Sequence, residues 1–171
     1  MKTLFITGFM AAGKTTVGKA LGKRLSVAVL DTDEMIEQLC KKSVGAIFDE
    51  EGEEAFRQYE KKVLRSIAWK GVIVTTGGGV VLDEENRRFM RENGIVIYLH
   101  TDPNEVLRRL ARDNSRPLLR EDKANRIVTL MEERMPYYLD ADFAVNTTGK
   151  SVESIVDEIA GFLFRQRRFW A

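Results

Sequence analysis

The stretch from Leu4 to Thr16 constrains the fold of this chain more than any other part, because an apolar run leads directly into a glycine-rich loop. The loop from Gly8 to Thr15 reads Gly-Phe-Met-Ala-Ala-Gly-Lys-Thr and fits the pattern G-x-x-x-x-G-K-[ST], in which backbone N–H groups surround phosphate oxygens. Val17, Leu21 and Leu25 then recur at helical spacing. A strand before such a loop and a helix after it direct the amides at one anion. The stretch therefore predicts a strand, loop and helix that bind ATP or GTP.

The residue types of this loop predict separate tasks in nucleotide binding. We expect Lys14 to reach the outer phosphates and the Thr15 hydroxyl to bind Mg²⁺ directly. Backbone amides would hold the remaining phosphate oxygens. The predicted nucleotide-binding residues of the loop are Ala11, Ala12, Gly13, Lys14, Thr15 and Thr16.

Length and composition describe one ordinary globular domain. The 171 residues suffice for a single α/β domain, which we expect to span residues 1–171. The net charge of +1 creates no overall field that attracts nucleic acid, and no apolar run approaches the roughly 18 residues that cross a bilayer. One cysteine, Cys40, excludes an internal disulfide and fits a reducing compartment. We therefore expect a cytoplasmic protein without nucleic-acid or membrane partners. We also expect a monomer, although composition does not give the oligomeric state.

Short apolar runs rich in β-branched residues alternate with helical patterns, which is typical of a parallel sheet. The five predicted strands are Thr3 to Thr7, Ala28 to Leu30, Val72 to Thr75, Ile95 to Leu99 and Phe143 to Val145. Nearly continuous apolarity in the third and fourth runs predicts central strands that are covered on both faces. Ligands of open parallel sheets bind at the carboxyl ends of the strands. The polar residues after each run are therefore the candidate site residues.

Two segments depart from a simple alternation of strands and helices. Residues 34–70 are longer than one crossover requires, and they predict a helical insertion that binds the substrate. Within this insertion, Arg57 is flanked by Glu53 at i−4 and Glu60 at i+3, which can hold its guanidinium in place. Residues 112–123 are polar, rich in arginine and interrupted by a proline, a composition that predicts a mobile lid.

Two carboxylates follow the second predicted strand, in Asp31-Thr32-Asp33. Alternate residues of a strand face opposite sides, so Asp31 and Asp33 can meet different partners. One can hold Mg²⁺, largely through water, and the other can orient an acceptor hydroxyl and take its proton as a general base. Either can also cap the helix that follows.

Gly77, Gly78 and Gly79 follow the third predicted strand, where many nucleotide hydrolases carry a metal-binding acid. No acidic residue stands directly after the third strand of this sequence. Three glycines offer bare amides and allow close approach, which suits a hydroxylated or anionic small molecule. A plain strand-to-helix turn explains the same residues, so this motif alone does not identify a site.

Taken together, these motifs resemble the shikimate kinase family, small kinases that phosphorylate the 3-hydroxyl of shikimate with ATP and Mg²⁺. The resemblance covers almost the whole chain. It rests on the loop from Gly8 to Thr16, Asp31-Thr32-Asp33, Phe56-Arg57 with Glu60, Gly77-Gly78-Gly79, Arg116-Pro117-Leu118 and Arg134-Met135-Pro136-Tyr137-Tyr138. It implies a three-layer α/β P-loop kinase fold with a central five-stranded parallel sheet, a helical substrate-binding insertion and a lid.

The resemblance also implies roles for single residues on the acceptor side. Asp33 would contact the shikimate hydroxyls and act as the base, while Asp31 would belong to the magnesium shell together with Thr15. Arg57 and Arg134 would hold the shikimate carboxylate, because a planar guanidinium pairs with a carboxylate through two hydrogen bonds.

Further roles follow from the same resemblance. Amides of Gly77 to Gly79 would complete the shikimate pocket. Arg116 would reach from the lid to the ATP phosphates, and Arg109 would flank the adenine. The implied catalytic residues are Asp33, Lys14 and Arg116.

Ala11 occupies a loop position at which glycine is common in this family, and a non-glycine residue fits there if its φ stays negative. A related kinase for gluconate or a nucleoside monophosphate would share the loop and the lid. The pair Arg57 and Arg134 argues for an acceptor with a carboxylate, and Asp33 with the three glycines fits a polyol acid better than a nucleotide. A nucleotide-binding module without catalysis is the alternative from another class. The preference for ATP over GTP rests on the resemblance, because Asn146 to Ser151 indicate no firm contact with the base.

Overall fold

A computed structural model describes residues 1–67, 70–112 and 121–166, which form an α/β fold around one parallel sheet. Its strands are β1 (Thr3–Gly8), β2 (Val29–Asp31), β3 (Ile73–Thr75), β4 (Gly94–His100) and β5 (Phe143–Asn146). They lie in the order β2-β3-β1-β4-β5, so β1 is central. Each strand agrees with its predicted range to within one residue at either end.

Helices connect the strands and cover both faces of the sheet. They are α1 (Lys14–Leu25), α2 (Thr32–Cys40), α3 (Val44–Ser66), α4 (Glu84–Asn93), α5 (Pro103–Arg112), α6 (Glu121–Tyr138) and α7 (Val152–Arg165), with a 3-10 turn at Val80–Leu82. Leu4 and Ile6 of β1 pack with α1 and α7, whereas Phe5 between them packs with α3 to α6 on the opposite face. The predicted three-layer arrangement is therefore confirmed. Over the described residues, no helix combines the length and apolarity that a membrane crossing needs.

The predicted insertion corresponds to α2 and α3, which share a small core of their own. Ile36 of α2 packs there with Ile47, Phe56 and Val63 of α3. Gly52 interrupts α3 with a φ of +84°, a conformation that glycine adopts at little cost. The role of this insertion in substrate binding stays a prediction. Most of the predicted lid, residues 113–120, lies outside the described residues.

The carboxyl ends of the three strands β1, β2 and β3 meet at one edge of the sheet. Ile6 of β1 and Asp31 of β2 both pair with Thr75 of β3 in the parallel register. The segments that follow these three strands are the glycine-rich loop, the Asp31-Thr32-Asp33 segment and the three glycines. Packing of the sheet therefore brings three separate sequence motifs together.

Candidate active site

The loop between β1 and α1 contains two residues with positive φ. Ala11 has a φ of +58° and Gly13 has a φ of +90°. The condition of a negative φ, under which a non-glycine residue fits this position without strain, is therefore not met at Ala11. The left-handed region costs an L-residue roughly 1–2 kcal/mol, a cost that glycine avoids. The Ala11 carbonyl accepts a hydrogen bond of 3.0 Å from Arg109 Nη1, which helps to hold the turn.

Lys14 is held by the backbone of the loop itself. Its Nζ donates hydrogen bonds of 2.9 Å to the carbonyls of Gly8 and Phe9. Burial lowers the pKa of Lys14 to about 8, while the nearby carboxylates of Asp33 and Asp31 oppose that shift. A phosphate oxygen beside this ammonium would stabilise its charged form.

Asp31 ends β2 and uses both carboxylate oxygens within the protein. Its Oδ1 accepts the N–H groups of Asp33 and Glu34 at 3.0 and 3.4 Å, so it caps α2, as one reading of the sequence predicted. Its Oδ2 accepts the hydroxyls of Thr15 at 3.0 Å and Thr75 at 2.7 Å. Asp31 therefore links the glycine-rich loop to β3.

The oxygens of Thr15 and Asp31 suit a magnesium ion. A hydroxyl and a carboxylate stand 3.0 Å apart beside the phosphate-binding loop, and Mg²⁺ prefers oxygen donors while it retains several waters and phosphate ligands. The donor set therefore fits the expected ion.

Asp33 and Glu60 approach the same glycine from two different helices. A Cβ at Gly77 would lie 2.9 Å from Asp33 Oδ1 and 2.8 Å from Glu60 Oε1, so only glycine fits between them without a shift. Neither of these oxygens has a hydrogen-bond partner among the described residues. Burial raises the pKa of Asp33 and the charge of Asp31 adds to that rise, while Lys14 opposes it. Asp33 is therefore a carboxylate with increased proton affinity and a free acceptor oxygen.

Arg57 is held at two points, as its flanking glutamates predicted. Its Nη1 donates to Glu60 Oε2 at 3.0 Å and its Nη2 donates to Glu53 Oε1 at 3.1 Å. The Glu60 side chain is only 1% exposed, and burial raises its pKa while the guanidinium of Arg57 opposes the rise. Arg57 Nε is buried and finds no partner within the described ranges.

Arg134 on α6 lies on the other side of the same region. Its Cζ is 5.7 Å from the centroid of the Phe9 ring in the glycine-rich loop. Its positive charge, like that of Arg57, acts on Glu60. The Nε of Arg134 is also buried without a partner in the described chain. The two predicted carboxylate-binding arginines therefore converge on one buried carboxylate.

The glycine turn, residues 77–79, lies between Asp33 and Arg57. The N–H of Gly77 donates to Thr32 Oγ1 at 3.0 Å and is therefore already used. A Cβ at Gly79 would lie 2.3 Å from Arg57 Nη2, so glycine is required for this contact. We expected three amides of this turn to be available to a ligand. Two remain available, those of Gly78 and Gly79.

The two remaining predicted arginines have different outcomes. Arg109 on α5 reaches the loop, where it bonds to the Ala11 carbonyl and is itself held by Glu105 Oε1 at 2.8 Å. Its expected contact with adenine stays a prediction. Arg116 lies outside the described residues, so its expected contact with the phosphates also stays a prediction.

A cavity of about 400 Å³ connects the phosphate-binding loop to the carboxylates. Its lining residues are Met10, Ala11, Gly13, Lys14, Thr15, Thr16, Asp31, Asp33, Thr76, Gly78 and Leu110. Most of the predicted nucleotide and metal residues therefore share one space with Asp33. Arg57 borders the neighbouring glycine turn instead, and Arg134 lies over the Phe9 ring.

Two buried threonines, Thr32 and Thr75, position this site and were not among the predicted site residues. Thr75 bonds to Asp31, and Thr32 accepts the Gly77 amide, although each partner is 44 or 45 positions away in the chain. Both threonines are at most 1% exposed. The hydroxyl of Thr75 at the end of an apolar strand was the available signal, because a buried hydroxyl needs a partner.

Comparisons with known proteins identify the family of this chain. The family model for shikimate kinase matches residues 10–164. A shikimate kinase of Bacillus cereus is 49% identical over 159 residues, which cover 93% of this chain and 96% of that protein.

Solved structures give the same result. The shikimate kinase from Acinetobacter baumannii in complex with shikimate has a TM-score of 0.90 and 33% identity, covering 98% of this chain and 95% of its own. The shikimate kinase from Bacteroides thetaiotaomicron has a TM-score of 0.87 and 35% identity, covering 95% of this chain and 98% of its own. The predicted P-loop kinase fold is thereby confirmed. This chain belongs to the shikimate kinase family.

Proposed function

We propose that this chain transfers the γ-phosphoryl group of ATP to the 3-hydroxyl of shikimate and releases ADP and shikimate 3-phosphate. One observation supports shikimate as the acceptor. Asp33 Oδ1, Arg57 Nε, Glu60 Oε1 and Arg134 Nε are all buried, and none has a hydrogen-bond partner in the described part of the chain. Arg134 is placed in the same region by its contact with Phe9 and by its charge acting on Glu60. An unsatisfied buried polar atom is costly, so four of them in one region indicate the place of a polar ligand.

The chemistry of these groups matches a hydroxylated carboxylic acid. Arg57 and Arg134 are cations that pair with a carboxylate in planar geometry. Asp33 accepts hydrogen bonds from hydroxyls, and the amides of Gly78 and Gly79 donate to oxygen atoms. Shikimate carries a carboxylate and three hydroxyls on a small ring, so it satisfies both kinds of group.

Asp33 is the proposed general base. Its carboxylate orients the 3-hydroxyl and accepts the proton as the hydroxyl oxygen bonds to the γ-phosphorus and the bond to the ADP oxygen breaks. The raised pKa of Asp33, caused mainly by burial, increases its affinity for that proton. Lys14 and the loop amides stabilise the negative charge of the phosphates, and Arg116 would add a further cation.

Magnesium fits the proposed reaction through two residues of the donor side. Thr15 would bind the ion directly, and Asp31 would hold its water shell. When bound, Mg²⁺ neutralises phosphate charge and orients the nucleotide. We also propose that the protein acts in the cytoplasm, with which its single cysteine is consistent, and that it is a monomer, which light scattering on purified protein would test.

An acceptor panel tests the proposed reaction. ADP release, coupled to a dehydrogenase, is measured with shikimate, gluconate and nucleoside monophosphates at equal concentrations. We expect turnover with shikimate and none above background with the others. The Lys14→Ala variant is the control for contaminating kinases and should be inactive with every acceptor. Faster turnover with gluconate or a nucleotide would contradict the proposal.

A further inference from the structure

Four of the six backbone polar groups of the glycine turn are used within the protein. Thr32 accepts the N–H of Gly77, and the Tyr138 hydroxyl donates to the carbonyl of Gly78. The carbonyls of Gly77 and Gly79 accept N–H groups from the following 3-10 turn at 3.3 and 3.0 Å. Within the described residues, the N–H groups of Gly78 and Gly79 are the backbone groups of this turn that remain without a partner.

Tyr138, at the end of α6, is built into the core so that its hydroxyl meets this turn. The side chain is 2% exposed and stacks on Tyr98 of β4, with ring centroids 5.1 Å apart and planes 4° apart. Burial raises the pKa of Tyr138 to about 12, so the phenol stays protonated and remains a donor at neutral pH. The Tyr98 hydroxyl is used elsewhere, against His100 Nδ1 at 3.0 Å.

The bond from Tyr138 also determines the direction of a second group. In a trans peptide the C=O of one residue and the N–H of the next point in opposite directions. Fixing the Gly78 carbonyl on Tyr138 therefore fixes the Gly79 N–H to point away from Tyr138. Glycine residues rotate more easily than others, so a peptide between two glycines needs such a restraint. Gly79 itself lies against the Arg57 guanidinium, where a Cβ would be 2.3 Å from Nη2.

We propose that Tyr138 is a positioning residue for the acceptor: its hydroxyl locks the Gly78–Gly79 peptide so that the Gly79 N–H is presented beside Arg57. This inference rests on the proposed function and adds a residue to the acceptor site. One helix then serves the acceptor twice, because Arg134 and Tyr138 lie one turn apart on α6.

The two stacked tyrosines provide a matched pair of variants. Tyr138→Phe keeps the ring and removes the hydroxyl that reaches the turn, whereas Tyr98→Phe removes a buried hydroxyl that does not reach it. We expect the KM for shikimate to rise about tenfold in Tyr138→Phe, the value of one oriented hydrogen bond, with the KM for ATP unchanged. Tyr98→Phe should keep both KM values. Equal shikimate KM values in wild type and Tyr138→Phe, or equal increases in both variants, would overturn the role of Tyr138.

Amide NMR of the unaltered protein gives a second test that needs no variant to fold. On titration with shikimate, the Gly79 amide should shift strongly, whereas the Gly77 amide, already bonded to Thr32, should shift little. A Gly79 resonance that shikimate leaves unmoved would overturn the inference. Failure of the proposed function is a separate result, because an enzyme inactive on shikimate fails the acceptor panel. In that event, spectra without ligand still test the role of Tyr138. Relative to wild type, the Gly79 amide resonance should shift in Tyr138→Phe and remain unchanged in Tyr98→Phe. An unchanged Gly79 resonance in Tyr138→Phe would show that the Tyr138 hydroxyl does not hold the Gly78–Gly79 peptide.

Discussion

The site has a donor side, the phosphate-binding loop with Asp31, and an acceptor side, which comprises Asp33, Arg57, Glu60, Arg134 and the glycine turn. The two sides differ in how many of their polar groups have hydrogen-bond partners within the protein. On the donor side, Lys14 donates to two loop carbonyls and Asp31 accepts four hydrogen bonds. On the acceptor side, Asp33, Arg57, Glu60 and Arg134 each retain a buried polar atom without a partner in the described ranges.

This difference separates a preformed half from a half that a ligand completes. The donor side is proposed to bind phosphates, which any nucleotide supplies. Its geometry is held by the backbone of one loop and by the ends of β2 and β3. The acceptor side gathers side chains from α2, α3 and α6 around the glycine turn. Atoms left unsatisfied there gain most from a ligand with matching groups, so we infer that acceptor specificity resides in this half.

The largest effect should come from Asp33, the acceptor-side group nearest the chemistry. Asp33→Asn removes the proposed base, and kcat should fall by about 10²- to 10⁴-fold while ATP still binds, because the donor side is untouched. The coupled ADP assay and calorimetric ATP titration measure the two quantities. Asp157→Asn, an exposed carboxylate on α7, is the control and should behave as wild type. Near-normal turnover in Asp33→Asn would exclude Asp33 as an essential base.

Arg57→Ala should weaken binding of the acid and spare the nucleotide. Loss of a guanidinium that pairs with a buried carboxylate costs roughly 2–5 kcal/mol, and the effect should appear in shikimate affinity measured by calorimetry. Arg57→Lys should lose part of this affinity, since lysine cannot form the planar double contact. Arg65→Ala on the same helix, which removes a surface pair with Glu85, is the control. An unchanged affinity for shikimate in Arg57→Ala would reject its assigned role.

Ala11→Gly tests how far the donor side is strained. Glycine relieves the positive φ, and the gain exceeds the entropy that glycine adds to the unfolded chain, so the free energy of unfolding should rise by about 0.5–1 kcal/mol. Ala12→Gly is the matched control, because Ala12 is 1% exposed and is not among the residues with positive φ. It should destabilise the protein by about 1 kcal/mol through loss of a buried methyl group. Urea unfolding of wild type and both variants measures these changes. Equal destabilisation by Ala11→Gly and Ala12→Gly would contradict backbone strain at Ala11.

The smallest effect concerns pH and the buried carboxyl of Glu60. Burial raises its folded-state pKa above the ordinary value of 4.5, so the folded state binds this proton more tightly than the unfolded state does. The contribution of Glu60 to stability is therefore greatest below the unfolded pKa and declines as pH rises through the folded pKa. Urea unfolding measures the free energy of unfolding of wild type and Glu60→Gln from about pH 4.5 to pH 8. The stability of the wild type relative to the variant should fall as pH rises. If the wild type instead became more stable relative to the variant as pH rises, the raised pKa of Glu60 would be contradicted.

The sequence was most informative where one short segment decides the structure. Each strand and the phosphate-binding loop were predicted from local patterns, because apolar runs and glycine spacing act over a few residues. The flanking glutamates of Arg57 were also predicted, since i−4 and i+3 neighbours meet on any helix. The φ of Ala11 was not, because the loop imposes a conformation that alanine does not choose by itself.

The sequence by itself determined the family, the parallel sheet and the residue types available for phosphate, magnesium, hydroxyl and carboxylate. Only the tertiary structure decided how those groups are used: that Thr75 completes Asp31, that Thr32 occupies the Gly77 amide, and that Tyr138 fixes the Gly78 carbonyl. These partners are 44 to 60 positions apart in the chain. Periodicity describes neighbours along one element, whereas contacts at such separations arise only when the sheet aligns the ends of its strands and α6 packs against them.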